Sequence, residues 1–270
     1  MKCYKNIVTA HTFHRVACHV QAAKATQCRN SSTTQVWLNR QRRDPFVKAR
    51  GNYRSRSAFK LIQMNDQYNL FPKSTKAKGS FTVVDLGCAP GGWSQAALHL
   101  LEQKTPAPDE NENYVSDIDE EEVESPRVIG VDLLATDPLL GARFLQGDFL
   151  DVSVQQRLQG DLGGRHVDMI LSDMSPHIRG NRIADIEASL ELCRSVLAFT
   201  QRHLRPAPGK DSRSGTLILK HFSGPAFEEF REKELTPLFS KKIKYAKPEA
   251  SRQNSSEAYF VCQGYKGHTI

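Results

Sequence analysis

Residues Phe81–Gln95 read FTVVDLGCAPGGWSQ, and the fold follows from how this stretch changes character along its length. An apolar run ends in Asp85, a turn holding Gly87, Gly91 and Gly92 follows, and a helical pattern begins near Trp93. Glycine adopts positive φ and lets a ligand approach the backbone, so the turn reads as a binding loop at the carboxyl end of a buried strand. Its G-x-x-x-G-G spacing differs from the G-x-G-x-x-G that cradles a pyrophosphate. The wider turn suits a cofactor without phosphates, such as S-adenosylmethionine. Cys88, inside the turn, reads as a small buried residue rather than a nucleophile.

Outward from this stretch, β-rich runs alternate with helical ones. Strands are predicted at Phe81–Leu86, Val128–Asp132, Phe144–Gln146, Val167–Ser172, Thr216–Lys220, Lys242–Tyr245 and Ala258–Cys262. Helices are predicted over Ser57–Leu70 (apolar face Phe59, Ile62, Leu70), Trp93–Leu101, a short run after Asp151, Ile183–Leu204 and Pro225–Phe239. In the fourth of these, Ile186, Leu190, Cys193, Leu197 and Leu204 recur at helical spacing. Asp44-Pro45 marks a further helix start at Phe46. Alternation with wholly apolar first strands is the pattern of an α/β fold: a seven-stranded, mostly parallel sheet covered by helices on both faces. Its ligand belongs at the carboxyl ends of the strands, near the topological switch point.

The chain has 270 residues, 37 Lys and Arg against 30 Asp and Glu, and 39% hydrophobic residues. That excludes a disordered chain, a collagen-like chain and a disulfide scaffold. No apolar run approaches the roughly 18–20 residues of a membrane-spanning helix. The six cysteines show no metal-ligand or disulfide spacing.

Charge is distributed unevenly. The first 43 residues hold eight Lys and Arg, no acid and no secretory-type apolar core, the composition of a mitochondrial transit peptide; a basic RNA-binding arm is the alternative. Ten acids and one base fill Glu102–Glu124. The folded domain is therefore expected over 44–270, with 102–126 a solvated acidic insert and Arg205–Gly215 a second loop. Without the first 43 residues the formal charge falls from +7 to −1, so overall charge is no evidence for RNA binding.

Acids stand at three successive strand ends: Asp85, Asp132, and Asp148 in Gly147-Asp148-Phe149. One such acid is ordinarily a helix cap. Three in succession point to a nucleoside-containing cofactor, with Asp132 toward ribose hydroxyls and Asp148 toward an adenine amine.

Five separated blocks then fall in order: DLGCAPGGWSQ (85–95), VDLLATDPLLGARFLQGDF (131–149), ILSDMSP (170–176), LILKHFSG (217–224) and SRQNSSEAYFV (251–261). Over about 44–264 the chain resembles the FtsJ/RrmJ family of RNA ribose 2′-O-methyltransferases, its mitochondrial members most of all. The resemblance implies a Rossmann-like S-adenosylmethionine-dependent methyltransferase fold and no metal. It implies cofactor contacts from Asp85, Gly87, Ala89, Pro90, Gly91, Gly92, Trp93, Asp132, Asp148, Phe149 and Asp173. It implies a catalytic Lys-Asp-Lys-Glu set at Lys60, Asp173, Lys220 and Glu257. The implied substrate is a uridine of mitochondrial large-subunit rRNA, in the matrix, presented by a pre-ribosomal particle to a monomeric enzyme. A cytosolic or nucleolar member acting on tRNA or pre-rRNA, and an assembly factor that acts by binding, stay open.

A ribose hydroxyl is a weak nucleophile, so the site must align it with the methyl group and remove its proton. Lys220, ending the apolar run Leu217-Ile218-Leu219, is expected at that hydroxyl, as base or as orienting group, with the two carboxylates positioning it. Lys60 is expected to hold the substrate ribose or phosphate. Lys48, Arg50, Arg54 and Arg56, with Tyr53 among them, are expected to meet RNA. For Lys241, Lys242, Lys244 and Lys247, RNA contact and a solvated face are equally open.

Overall fold

The computed structural model describes residues 51, 53–72, 81–102, 126–177, 179–207, 214–252 and 255–267. The basic leader, the helix start at Phe46, Lys48, Arg50, and nearly all of the acidic insert lie outside the described residues. In chain order the elements are α1 (Ala58–Tyr68), β1 (Val83–Leu86), α2 (Gly92–Glu102), β2 (Val128–Asp132), β3 (Ala142–Gln146), α3 (Val152–Leu162), β4 (Met169–Ser172), α4 (Arg182–His203), β5 (Thr216–Phe222), α5 (Pro225–Phe230), β6 (Lys244–Ala246) and β7 (Glu257–Gln263).

The seven strands form one sheet in the order β3-β2-β1-β4-β5-β7-β6. β1 to β5 run parallel, and β7 lies antiparallel between β5 and β6. The switch point falls between β1 and β4, whose carboxyl ends part the chain to either side and leave a crevice. Period-two alternation divides each strand between two cores. Val84, Leu86, Ile129, Val131, Leu217 and Leu219 join the cluster under α3, α4 and α5, whereas Val83, Val128, Met169, Leu171 and Ile218 join the one under α1 and α2. The sheet is thus buried on both faces, as the apolar strands require. No helix among the described residues is long and apolar enough to cross a membrane.

Three expectations need correction. The face that α1 buries is Ala58, Leu61, Met64 and Asn65, with Phe59 and Ile62 only half-buried. Asn69, at φ 52°, ends that helix, so Leu70 is buried from beyond it. The single helix expected over Pro225–Phe239 becomes three windings: α5, a π turn at Arg231–Leu235, and a 3-10 turn at Thr236–Leu238. Pro237 has no N–H to continue an α-helix, and Thr236 closes on the Arg231 carbonyl with both its backbone N–H and its hydroxyl. Finally, β5 runs two residues past Lys220 to Phe222, pairing along its whole length with β7.

Candidate active site

Read across the carboxyl rim, neighbouring strands present the site in sequence. Gly87 follows β1, and Asp173 follows β4 with its N–H donating to the Leu86 carbonyl (3.1 Å). Lys220 of β5 sits level with Asp173, because Leu219 is the Cα partner of Ser172. Across the antiparallel pair, Lys220 faces Tyr259 and Phe222 faces Glu257. Directly opposite residues share a face of the sheet. Their neighbours His221 and Phe260 point to the other face, where their rings stack 3.6 Å apart. The antiparallel insertion of β7 is decisive: it brings the start of that strand, with Glu257 and Tyr259, to the rim where the parallel strands end.

Lys60 reaches this row from α1. Its Nζ donates to Glu257 Oε1 (2.9 Å) and to the Tyr259 hydroxyl (2.9 Å), which donates to Asp173 Oδ1 (2.7 Å). Lys220 Nζ lies 3.2 Å from Asp173 Oδ1, 3.3 Å from the Asp173 carbonyl and 3.6 Å from Glu257 Oε2. Two ammonium groups thus face two carboxylates around one phenol. Burial alone would raise the Glu257 carboxyl, but Lys60 and Lys220 outweigh it and hold Glu257 below the usual range. Burial, then Asp173 and Glu257, push the Tyr259 phenol far up, so it stays a neutral donor.

All four residues of the expected Lys-Asp-Lys-Glu set therefore meet, but the two lysines differ. Lys60 is 8% exposed and holds two short contacts. With these contacts it ties α1 to β7. Lys220 has the longer contacts and is the ammonium more easily turned toward a substrate hydroxyl. Tyr259 went unassigned from the sequence, although period two from Glu257 puts it on the same face.

The glycine loop lies beside this row. Gly87 has φ +81°, and a Cβ there would stand 2.8 Å from Met174 Cγ and 3.0 Å from the Met174 N–H nitrogen. Only glycine keeps that floor open. Asp132 ties the loop to the next one, accepting from the Ala89 N–H (2.9 Å) and the Leu134 N–H (2.9 Å). Asp148 is exposed and accepts from the Leu150 N–H (2.9 Å). Immediately after these two acids, Leu133, Leu134, Leu150 and Val152 hold large apolar surfaces exposed. Acids for hydroxyls and an amine, uncovered apolar faces for a purine, and a bare glycine floor fit S-adenosylmethionine. When bound, the cofactor supplies an electrophilic methyl group on its sulfonium.

Ala89 is half-buried and Pro90 exposed on that loop, while Gly91 and Gly92 are buried beneath it. The side chains of three expected cofactor residues are buried beneath the loop, so a cofactor would meet these residues through their backbone. Asp85 is fully buried and accepts from the Ser94 hydroxyl (2.6 Å), holding the loop to α2 from below. The Trp93 indole donates to the Ser57 carbonyl (2.8 Å) and packs 5.5 Å from the Tyr259 ring. Phe149 is 3% exposed, edge-on to Phe199 in the core. Cys88 is buried near Thr136, and burial together with Asp85 pushes its thiol up to about 12, so it is no nucleophile.

Two arginines of the basic run before α1 make contacts within the chain. Arg54 donates to the Asp137 and Pro138 carbonyls (2.6 Å each), pinning the loop that follows β2, and Arg56 donates to the Ala250 carbonyl. Tyr53 packs edge-on to Phe59 and its hydroxyl meets His99. Paired to carbonyls and rings in this way, they shape the site's walls. Lys241, Lys242, Lys244 and Lys247 are exposed around β6, the last strand of the sheet.

Residues 53–265 match the family model described as FtsJ-like methyltransferase. A ribosomal RNA large subunit methyltransferase E of Acinetobacter baumannii is 36% identical over 247 residues, covering 91% of this chain and 98% of that protein. The protein of the same name from Acidiphilium cryptum is 36% identical over 258 residues, covering 93% and 94%. Among solved structures, a Plasmodium falciparum protein described as a ribosomal RNA methyltransferase superposes with a TM-score of 0.58 at 26% identity, over 80% of this chain and all of that one.

Proposed function

Because the chain belongs to the FtsJ-like methyltransferase family and takes S-adenosylmethionine as methyl donor, we propose that it methylates a ribose 2′-hydroxyl of large-subunit ribosomal RNA, at a uridine of the mitochondrial ribosome. One observation carries the reading: the Lys220 ammonium, held by contacts of 3.2–3.6 Å at the rim, beside a loop that fits the cofactor. Lys220 orients the hydroxyl, and the network it shares with Asp173 and Glu257 takes up the hydroxyl proton as the oxygen bonds to the methyl carbon and the carbon–sulfur bond breaks. Lys60 and Tyr259 keep Asp173 and Glu257 in place. The names of the bacterial relatives support the large ribosomal subunit as target, and the acid-free basic stretch 1–43 supports the mitochondrion.

The test maps ribose methylation in mitochondrial large-subunit rRNA from cells with and without the chain, and after return of a Lys220→Ala variant. One position should lose its methyl group and regain it only with the unaltered chain. A map that does not change refutes the reading. A fusion carrying residues 1–43 should enter mitochondria, and a cytosolic fusion removes that part of it.

A further inference from the structure

Beyond the catalytic row lies a cleft of about 460 Å³, lined by Phe222, Ser223 and Ser256 on the sheet side and by Arg182, Ile186 and Ala226 on the α4 and α5 side. It adjoins the row through the backbone: Ser256 precedes Glu257, and Phe222 is the Cα partner of Glu257. At a strand rise of about 3.3 Å per residue, Phe222 sits roughly 6.6 Å past Lys220. The cofactor loop lies on the other side of Lys220, toward β1 and β2. Displacement at a methyl carbon needs the attacking oxygen opposite the departing sulfur. A substrate whose hydroxyl meets Lys220 therefore approaches from the side away from the cofactor, the side on which this cleft lies.

We propose, resting on the function above, that the cleft holds the base of the nucleotide being methylated, stacked against Phe222. The chemistry of the walls matches that occupant. Phe222 is a half-buried aromatic at the rim, and base stacking on such a ring tolerates any sequence. The exposed Ser223 and Ser256 offer hydroxyls to a base edge. Arg182 is exposed at the first turn of α4, where a guanidinium meets phosphate. One wall is held in advance, since Asp185 accepts from the Arg179 N–H (2.8 Å) and the Gly180 N–H (3.0 Å). A nucleotide in an unpaired loop or bulge can be splayed out, and an aromatic slot then offers its base a face to stack on.

Three variants test this in the full chain, using large-subunit particles from cells lacking the protein and labelled S-adenosylmethionine. Phe222→Ala should raise KM for the particle on the order of tenfold, the scale of one lost base stack, with cofactor affinity unchanged. Phe222→Trp should restore it. The third variant, Gly224→Trp, fills the cleft from a position where an added Cβ meets nothing within 4 Å. It should lose turnover on RNA and still bind the cofactor. If Phe222→Ala does not fold, Gly224→Trp decides alone, and unaltered turnover on RNA there overturns the proposal. So does a Phe222→Ala chain that loses thermal stability while its KM stays put. If the unaltered chain labels no rRNA, the fault lies with the proposed function and not with the cleft.

Discussion

Asp85 links the buried sheet to the cofactor loop and has a pH dependence that can be worked out in advance. Its carboxyl is fully buried, one oxygen accepts from Ser94, and the other has no hydrogen-bond partner among the described residues. Burial, with smaller contributions from Asp173 and Asp132, raises it from 3.8 to about 7 against the lowering effect of Ser94. Between about pH 4 and 7 the folded chain therefore keeps a proton that the unfolded chain has released. Raising the pH through that window lowers stability, by roughly 4 kcal/mol once it is passed, at 1.36 kcal/mol per pH unit. Asp85→Asn removes the titration and leaves an amide N–H₂ short of a partner, a cost of about 1–3 kcal/mol that does not vary with pH. The variant should thus be less stable than the parent near pH 4, about level with it near pH 5 and more stable near pH 8. Urea unfolding without cofactor, followed at a series of pH values, reads the difference, and other groups titrate equally in both chains. A difference between the two chains that stays flat to within about 1 kcal/mol from pH 5 to 8 would refute the argument.

Three further substitutions probe the loop and the row. Gly87→Ala drives a Cβ to 2.8 Å from Met174 at φ +81°; it should cost about 1–3 kcal/mol in thermal unfolding and abolish cofactor binding by calorimetry. Tyr259→Phe keeps the ring on Trp93 but removes the hydroxyl between Lys60 and Asp173, bonds to charged partners worth about 1.5–3 kcal/mol, so kcat should fall roughly 10- to 100-fold with cofactor affinity unchanged. Arg54→Ala releases the loop at Asp137 and Pro138 and should weaken cofactor binding roughly fivefold, about 1 kcal/mol, while KM for RNA stays constant, as an RNA-contacting arginine would not allow.

The sequence by itself determined a good deal. Wholly apolar strands alternating with helical periods allow little but a covered parallel sheet, and FTVVDLGCAPGGWSQ marks the strand whose end holds the cofactor loop. The Lys-Asp-Lys-Glu set was also legible, since its members lie in separate blocks that each carry a distinctive local pattern. Only the tertiary structure decided how those residues divide the work. Whether a lysine is a clamp or a reagent depends on what surrounds its nitrogen: Lys60 has Glu257 and Tyr259 at 2.9 Å, whereas Lys220 has nothing closer than 3.2 Å. What Arg54, Asp85, Trp93 and Phe149 pack against and bond to was likewise decided in three dimensions, because burial and hydrogen-bond partners come from other segments of the chain. The last strand shows the reason most plainly. Local sequence sets that Glu257–Gln263 is extended, but its antiparallel place between β5 and β6 is set by long-range pairing, and that placement brings Glu257 and Tyr259 to Lys220.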